Sequence, residues 1–120
     1  MNQQRTARQV LEDHLELAHH WDFETDLERN FSSDIVLMTS YGIFRGVDGL
    51  RKKVALLNEH LPDGRWTYHN IMVEQELGFL EWTGVGTNGA RVLDGADSYH
   101  IHDGLIRAMT IHYTVTPPQR

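Results

Sequence analysis

The chain has no cysteine, which rules out disulfides, thiolate metal sites and a cysteine nucleophile. No stretch approaches the roughly 18 apolar residues of a membrane helix. The N-terminal run MNQQRTARQVLEDH lacks the apolar centre of a secretory signal. A cytoplasmic protein that does not engage a membrane is the expectation. Positive charge is also scarce: 11 Lys and Arg against 17 Asp and Glu leave a net charge of −6. That balance argues against nucleic acid as a partner, because phosphates are neutralised by clustered Lys and Arg. The one basic run, Arg51-Lys52-Lys53, is short and falls where a helix would show its solvent face. There is no internal repeat, low-complexity tract or linker. What remains is an ordinary globular composition, 40% hydrophobic and 23% charged over 120 residues. That suits a single domain, 1–120, with a core of its own.

Periodicity divides the chain in two. From Thr6 to Trp21, Val10, His14, Leu17 and Trp21 recur at helical spacing, with Ala7, Leu11 and Ala18 widening the face. A second short helix, Asp22 to Asn30, carries Phe23, Leu27 and Phe31 inward. Ile35 to Thr39 is apolar and β-branched enough for a strand, and Tyr41-Gly42 turns it into a short return, Ile43 to Arg45. Val47, Leu50, Val54, Leu57 and Leu61 mark a third helix to about His60, stopped by Pro62 and Gly64. From Arg65 the period becomes alternating. Turn signals at Gln75-Glu76, Asn88-Gly89 and Asp103-Gly104 separate four strands, Trp66–Glu74, Leu77–Thr87, Arg91–His102 and Leu105–Thr116. Helices followed by an antiparallel meander predict an α+β fold in which three N-terminal helices cover one sheet face. Gly84, Gly86 and Gly89 point to a strongly bent sheet. A curved sheet under helices makes a cone with a mouth, the kind of concavity that takes a small ligand.

Two segments carry a family resemblance. One is Phe31-Ser32-Ser33-Asp34-Ile35-Val36 with Phe44-Arg45-Gly46-Val47-Asp48-Gly49-Leu50-Arg51. The other is Gly95-Ala96-Asp97-Ser98-Tyr99-His100-Ile101-His102-Asp103-Gly104-Leu105-Ile106. Over essentially its whole length the chain resembles the nuclear-transport-factor-2-like superfamily, and within it the SnoaL-like polyketide cyclases and ketosteroid-isomerase relatives. The resemblance implies a cone-shaped, cystatin-like α+β fold and chemistry without a cofactor. It also implies a homodimer through the outer sheet face, whose apolar Ile106 and Ala108 need covering. Fold likeness alone does not fix a reaction.

Asp97 is the first candidate for chemistry. It shares a strand face with Tyr99 and Ile101, the more apolar of the two faces, and a carboxyl there loses solvation and moves toward the range for proton exchange. By resemblance it matches the isomerase aspartate that hydrogen-bonds the oxyanion, a carboxyl kept protonated by its apolar surroundings. It is also similar to the acid/base aspartate of SnoaL-like cyclases. The alternative is a structural aspartate that accepts from a backbone amide. His14 is second, an imidazole on a buried helix stripe where the resembled isomerases carry a catalytic tyrosine. It reads as a donor or proton shuttle, or as a core histidine bonded to a carbonyl or to Asp97.

His69 is third. Thr67, His69, Ile71 and Val73 alternate on one face, and the Thr-x-His pattern is similar to that of cavity-lining histidines in scytalone-dehydratase-like enzymes. It is expected either to face Asp97 across the cone or to lie on the outer surface. Against the isomerases, the position of the first-strand general base is Thr39, which cannot abstract an α-proton at neutral pH, so steroid isomerisation by that route is not expected. Trp21, Leu80, Trp82, Tyr99, Met109, Ile111 and Tyr113 are expected to wall the pocket for a small hydrophobic ligand. His100-x-His102 has the spacing of a metal pair but no third ligand, so no metal site is assigned. The expected function is a cofactor-independent acid/base enzyme of cyclase, dehydratase or isomerase type. A non-catalytic binding or dimerisation module is the alternative.

Overall fold

Thr6 starts the first helix with a reciprocal cap. Its hydroxyl accepts from the Gln9 amide at 3.1 Å, and the Gln9 side chain accepts from the Thr6 amide at 2.8 Å. The computed structural model describes residues 4–118. In it, α1 (Ala7–His19) and α2 (Phe23–Asn30) form a hairpin, followed by β1 (Phe31–Thr39), β2 (Gly42–Arg45) and α3 (Gly46–His60). The rest is β3 (Arg65–Glu74), β4 (Leu77–Val85), β5 (Arg91–His102), β6 (Leu105–His112) and the short β7 (Val115–Thr116).

The helix α1 ends at His19 because Trp21 takes a left-handed backbone, φ 58°. Its buried stripe is Val10, Leu11, His14, Leu15 and Ala18. This stripe is rotated from the expected one, with Leu15 inside and Leu17 only half-buried. Val10, Leu11 and Leu15, buried there, each contribute about 1.5–3 kcal/mol by leaving water.

The strands lie in the order β2-β1-β6-β5-β4-β3, with β7 paired to β5. The expected antiparallel meander β3–β6 is present, and the sheet is mixed overall because β1 runs parallel to β6, with Leu37 opposite Met109 and Thr39 opposite Ile111. The strand β1 begins four residues earlier than its apolar pattern suggests, since Ser32, Ser33 and Asp34 conceal it. The last strand is shorter than expected, β6 ending at His112 and β7 resuming at Val115.

The bend has an origin the glycines only partly announce. Register shifts fall between Tyr68 and Asn70, between Trp82 and Gly84, and between His100 and Ile101. Such bulges bend and twist the strand that carries them. The helices lie on the concave side, and Leu11, Ile35, Leu37, Leu61, Val92 and Ile106 are almost completely buried, so Ile106 is a core residue and not the outward-facing group expected from the sequence. Among the described residues, no helix is long and apolar enough to cross a membrane.

Candidate active site

Between the helical layer and the concave sheet face lies a cavity of about 90 Å³. Its walls are mostly apolar and include Leu80, Trp82, Tyr99, Met109 and Ile111, as the alternation of β4, β5 and β6 requires. Four groups that can exchange a proton near neutrality or hold charge reach it: Asp97, His14, Asp26 and Lys53.

Asp97 sits opposite Leu80 on one side and Ile111 on the other and is 7% exposed. Its Oδ1 accepts from Trp82 Nε1 at 2.9 Å and its Oδ2 from the Tyr99 hydroxyl at 3.0 Å. Both donors are neutral side chains, so the backbone-bonded alternative does not describe it. Burial pushes the carboxyl from its usual 3.8 up to about 6, although the two hydrogen bonds and the charges of His14 and Lys53 pull it down. Gly95 is what places the Trp82 donor. A Cβ there would stand 2.3 Å from the indole ring, which lies directly over the glycine backbone.

His14 enters from α1. Its Nδ1 lies 2.7 Å from Asp26 Oδ2, and because a carboxylate can only accept, Nδ1 carries a proton. The expectation of a carbonyl or Asp97 as partner is corrected here: the partner is Asp26, one helix along. Asn30 donates to Asp26 Oδ1 at 2.8 Å, fixing the carboxylate from the other side. The ring packs edge-on against Phe31 and Tyr99. Among the described residues no atom bonds Nε2 and no sealed side-chain nitrogen or oxygen lacks a partner, so Nε2 opens on the cavity. Burial pulls the imidazole pKa down, but the charge and hydrogen bond of Asp26, with Asp97 and Asp13 behind it, outweigh this and the net direction is up.

Lys53 overturns the reading of the basic run as wholly solvated. It is 2% exposed, three positions beyond Leu50 on the inner side of α3. Its Nζ donates to the Tyr113 hydroxyl at 3.0 Å and lies 4.7 Å from the centre of that ring. Burial pulls its pKa down from 10.5 to about 8, partly opposed by the Asp97 charge.

His69 is not in the cavity. The bulge after Tyr68 leaves it without a register partner, and it sits exposed with Nε2 2.8 Å from Thr83 Oγ1. The inward place falls to Tyr68, which lines the cavity and donates to the Leu15 carbonyl at 2.7 Å. Trp21 stands outside the lining, donating to the Gly64 carbonyl at 2.8 Å and backing Trp66 and Phe23. Tyr113 is buried behind Lys53 rather than on the wall. Thr39 is committed to the β1–β2 turn, where its hydroxyl accepts from the Tyr41 amide at 2.9 Å. His100 Nε2 and His102 Nδ1 share the exposed Glu76 carboxylate at 3.0 and 2.7 Å.

Sequence reading missed Asp26, Asn30, Lys53 and Tyr68. For Asp26 and Asn30 a signal existed: they are four apart on the α2 face that holds Leu27. For Lys53 the i+3 relation to Leu50 was the signal, masked by its charged neighbours.

A cone of sheet closed by three helices, with isolated polar groups in an apolar cavity, is the architecture of nuclear-transport-factor-2-like domains. The chain belongs to the SnoaL-like domain family, whose model matches residues 8–109. Solved structures agree on the fold. An NTF2-like protein of unknown function from Cytophaga hutchinsonii has a TM-score of 0.73 at 17% identity, covering 95% of both chains. A provisionally named SnoaL-like polyketide cyclase from Mesorhizobium loti has 0.65 at 20% identity, covering 91% of this chain and 100% of its own. A de novo designed protein with a curved β-sheet reaches 0.73 at 18% identity, covering 90% of this chain and 84% of its own. That an artificial sequence matches as well as natural ones shows that this likeness carries fold and no activity. No curated protein matches the sequence.

Proposed function

We propose that this domain is a cofactor-independent acid/base enzyme of cyclase, dehydratase or isomerase type, acting on a small carbonyl or hydroxy compound. The observation that carries this reading is the pairing of Asp97 with His14 in one apolar cavity, each held by partners that bias it toward a different protonation state. With a pKa near 6, Asp97 is mostly ionised at pH 7 and serves as the base. His14, proton-loaded by Asp26, presents Nε2 as the acid. Asp97 removes a proton from the carbon next to a carbonyl while Nε2–H donates to the carbonyl oxygen, stabilising the enolate. Return of the proton to another carbon isomerises the compound, its transfer from Asp97 to a β-hydroxyl lets that group leave as water, and its transfer to the oxygen of a second carbonyl attacked by the enolate completes a cyclisation. This route needs no carboxylate at Thr39.

Size narrows the substrate. Roughly 150 Å³ of apolar cavity holds a benzene, so about 90 Å³ suits a compound of a few carbons, or a larger one only after the helices part. The same small volume favours the second reading, a binding module without turnover.

The test needs no known substrate. Small ketones and β-diketones are incubated with the protein in D2O, and exchange at the α-carbon is followed by NMR. Wild-type protein is expected to catalyse exchange, and Asp97→Asn to lose it by about two to four orders of magnitude. Ligand-induced shifts at His14 without exchange for any compound would establish the binding module instead.

The domain is also proposed to dimerise through its uncovered sheet face. One row across six strands reads Ile43, Met38, Thr110, Ser98, Phe79 and Met72. Ile43, Met38 and Met72 are 57%, 51% and 51% exposed, and neighbouring Leu77 is 63% exposed. Such a patch is what a second copy covers. Light scattering at tens of micromolar is expected to give twice the chain mass, and Met38→Lys with Met72→Lys to give the monomer.

A further inference from the structure

Lys53 has no part in the acid/base scheme, yet it is the most unusual charged group in the molecule. It is a primary amine in the wall of an apolar cavity, and its hydrogen-bond partner is a neutral hydroxyl rather than a carboxylate. A buried ammonium is normally neutralised by an ion pair. Here Tyr113 accepts from Nζ, which leaves the phenolic proton to bond His60 Nδ1 at 2.8 Å. His60 is only half-buried, so the chain Lys53–Tyr113–His60 leads from the cavity toward solvent. The other titratable groups lining the same space are Asp97 and Tyr99 on β5, His14 on α1, Asp26 on α2 and Tyr68 on β3.

We propose that Lys53 is an imine-forming residue that captures a small aldehyde or ketone in this cavity. A desolvated lysine in a hydrophobic pocket is the usual form of such an amine. The Tyr113–His60 chain gives it a route to lose the proton that otherwise blocks attack. The free Nζ lone pair adds to the carbonyl carbon, the C=O π electrons move to oxygen, and that oxygen takes the proton of His14 Nε2 as nitrogen loses one to the Asp97 carboxylate. Asp97 passes that proton to the new hydroxyl, and the C–O bond breaks. Water leaves, the nitrogen lone pair closes the C=N bond, and the iminium remains on Lys53. No oxidant, reductant or cofactor enters. The site stands whether or not Asp97 acts as a base toward carbon.

The sequence supplies its own control, because the chain has two lysines and they are adjacent. Lys52 is exposed and Lys53 is buried. Acetone with sodium cyanoborohydride at pH 7 turns each iminium into a stable isopropylamine by hydride addition to the iminium carbon. Fragment-ion mapping then separates the two positions. Lys53 is expected to be labelled about tenfold or more faster than Lys52, given the desolvation of its amine in the cavity wall. In denaturant the two are expected to label alike, and Lys53→Arg to leave label only on Lys52 and the α-amine. Labelling of Lys53 no faster than Lys52 in the native protein overturns the proposal.

Discussion

Two aspartates, Asp13 and Asp97, each accept hydrogen bonds from side chains of the same domain, and their environments drive them in opposite directions. Arg29 grips Asp13 with two bonds of 2.8 Å, and Asn30 adds another of 2.8 Å. Arg5 lies 3.6 Å away, bonding also the Asn30 side chain and the Gly104 carbonyl. Burial raises the Asp13 carboxyl, but the hydrogen bonds of Arg29 and Asn30 and the two guanidinium charges more than reverse this, and its pKa is lowered. Asp97 meets an indole and a phenol, neither charged, and is left near 6. The first cluster is built to keep charge, and the second lets charge come and go at neutral pH. Asn30 joins them: its amide donates to Asp13 and to Asp26, and Asp26 holds His14 at the cavity. The outer ion pairs thus act through Asn30 to fix the orientation of a cavity group, a positioning role.

The largest expected effect follows from cutting that link. Asp26→Ala leaves His14 and Asn30 buried without their shared acceptor, and such a loss costs on the order of 3–5 kcal/mol. The cost depends on pH. The folded pKa of His14 is raised, so the stability it brings is complete below its unfolded value of 6.5 and disappears as pH climbs through the folded value. Urea unfolding is therefore expected to show a larger deficit at pH 6 than at pH 9. An equal deficit at both would mean that the pair is not ionised, and the contrast between the clusters would shrink.

Next comes an effect of opposite sign. Asp97→Asn keeps the shape and removes a charge that the cavity solvates poorly. Between 3.8 and about 6 the folded protein retains a proton that the unfolded chain has lost, so wild-type stability falls as pH rises across that window. The variant is expected to be more stable than wild type at pH 7–8 by about 2–3 kcal/mol, with the gap closing toward pH 4. Gain of stability with loss of proton exchange marks a functional carboxyl. A destabilised Asp97→Asn protein at pH 7 would instead place Asp97 with Asp13, as a structural group.

How legible these features were depended on whether one residue's pattern or two residues' meeting was needed. The facing of Asp97 followed from simple alternation along β5, undisturbed between Gly95 and Tyr99, and the walls Leu80, Trp82, Met109 and Ile111 followed likewise. The parallel pairing of β1 with β6 had no local signature, because partner choice lies outside either strand. The His14–Asp26 contact depends on the crossing of α1 and α2, which no periodicity reports. Lys53 was hidden by composition: a charged triplet reads as solvent-facing, and only its phase relative to Leu50 shows that one member points inward.

The smallest expected effect concerns residues 68 and 69, neighbours on opposite sides of the sheet. A regular strand would have put His69 into the cone with Ile71 and Val73. The extra residue at the bulge breaks that phase, so Tyr68 fills the wall and His69 is released to the outside. Its side chain bonds the Thr83 hydroxyl, also on the outer face, where water replaces the bond at little cost. His69→Ala is therefore expected to leave proton exchange unchanged and to move the unfolding free energy by no more than about 0.5 kcal/mol. A tenfold loss of exchange with the midpoint intact would require His69 to swing through the sheet edge into the cavity. It would then join Asp97 and His14 as a proton-exchanging group, and the sheet would no longer separate residues 68 and 69.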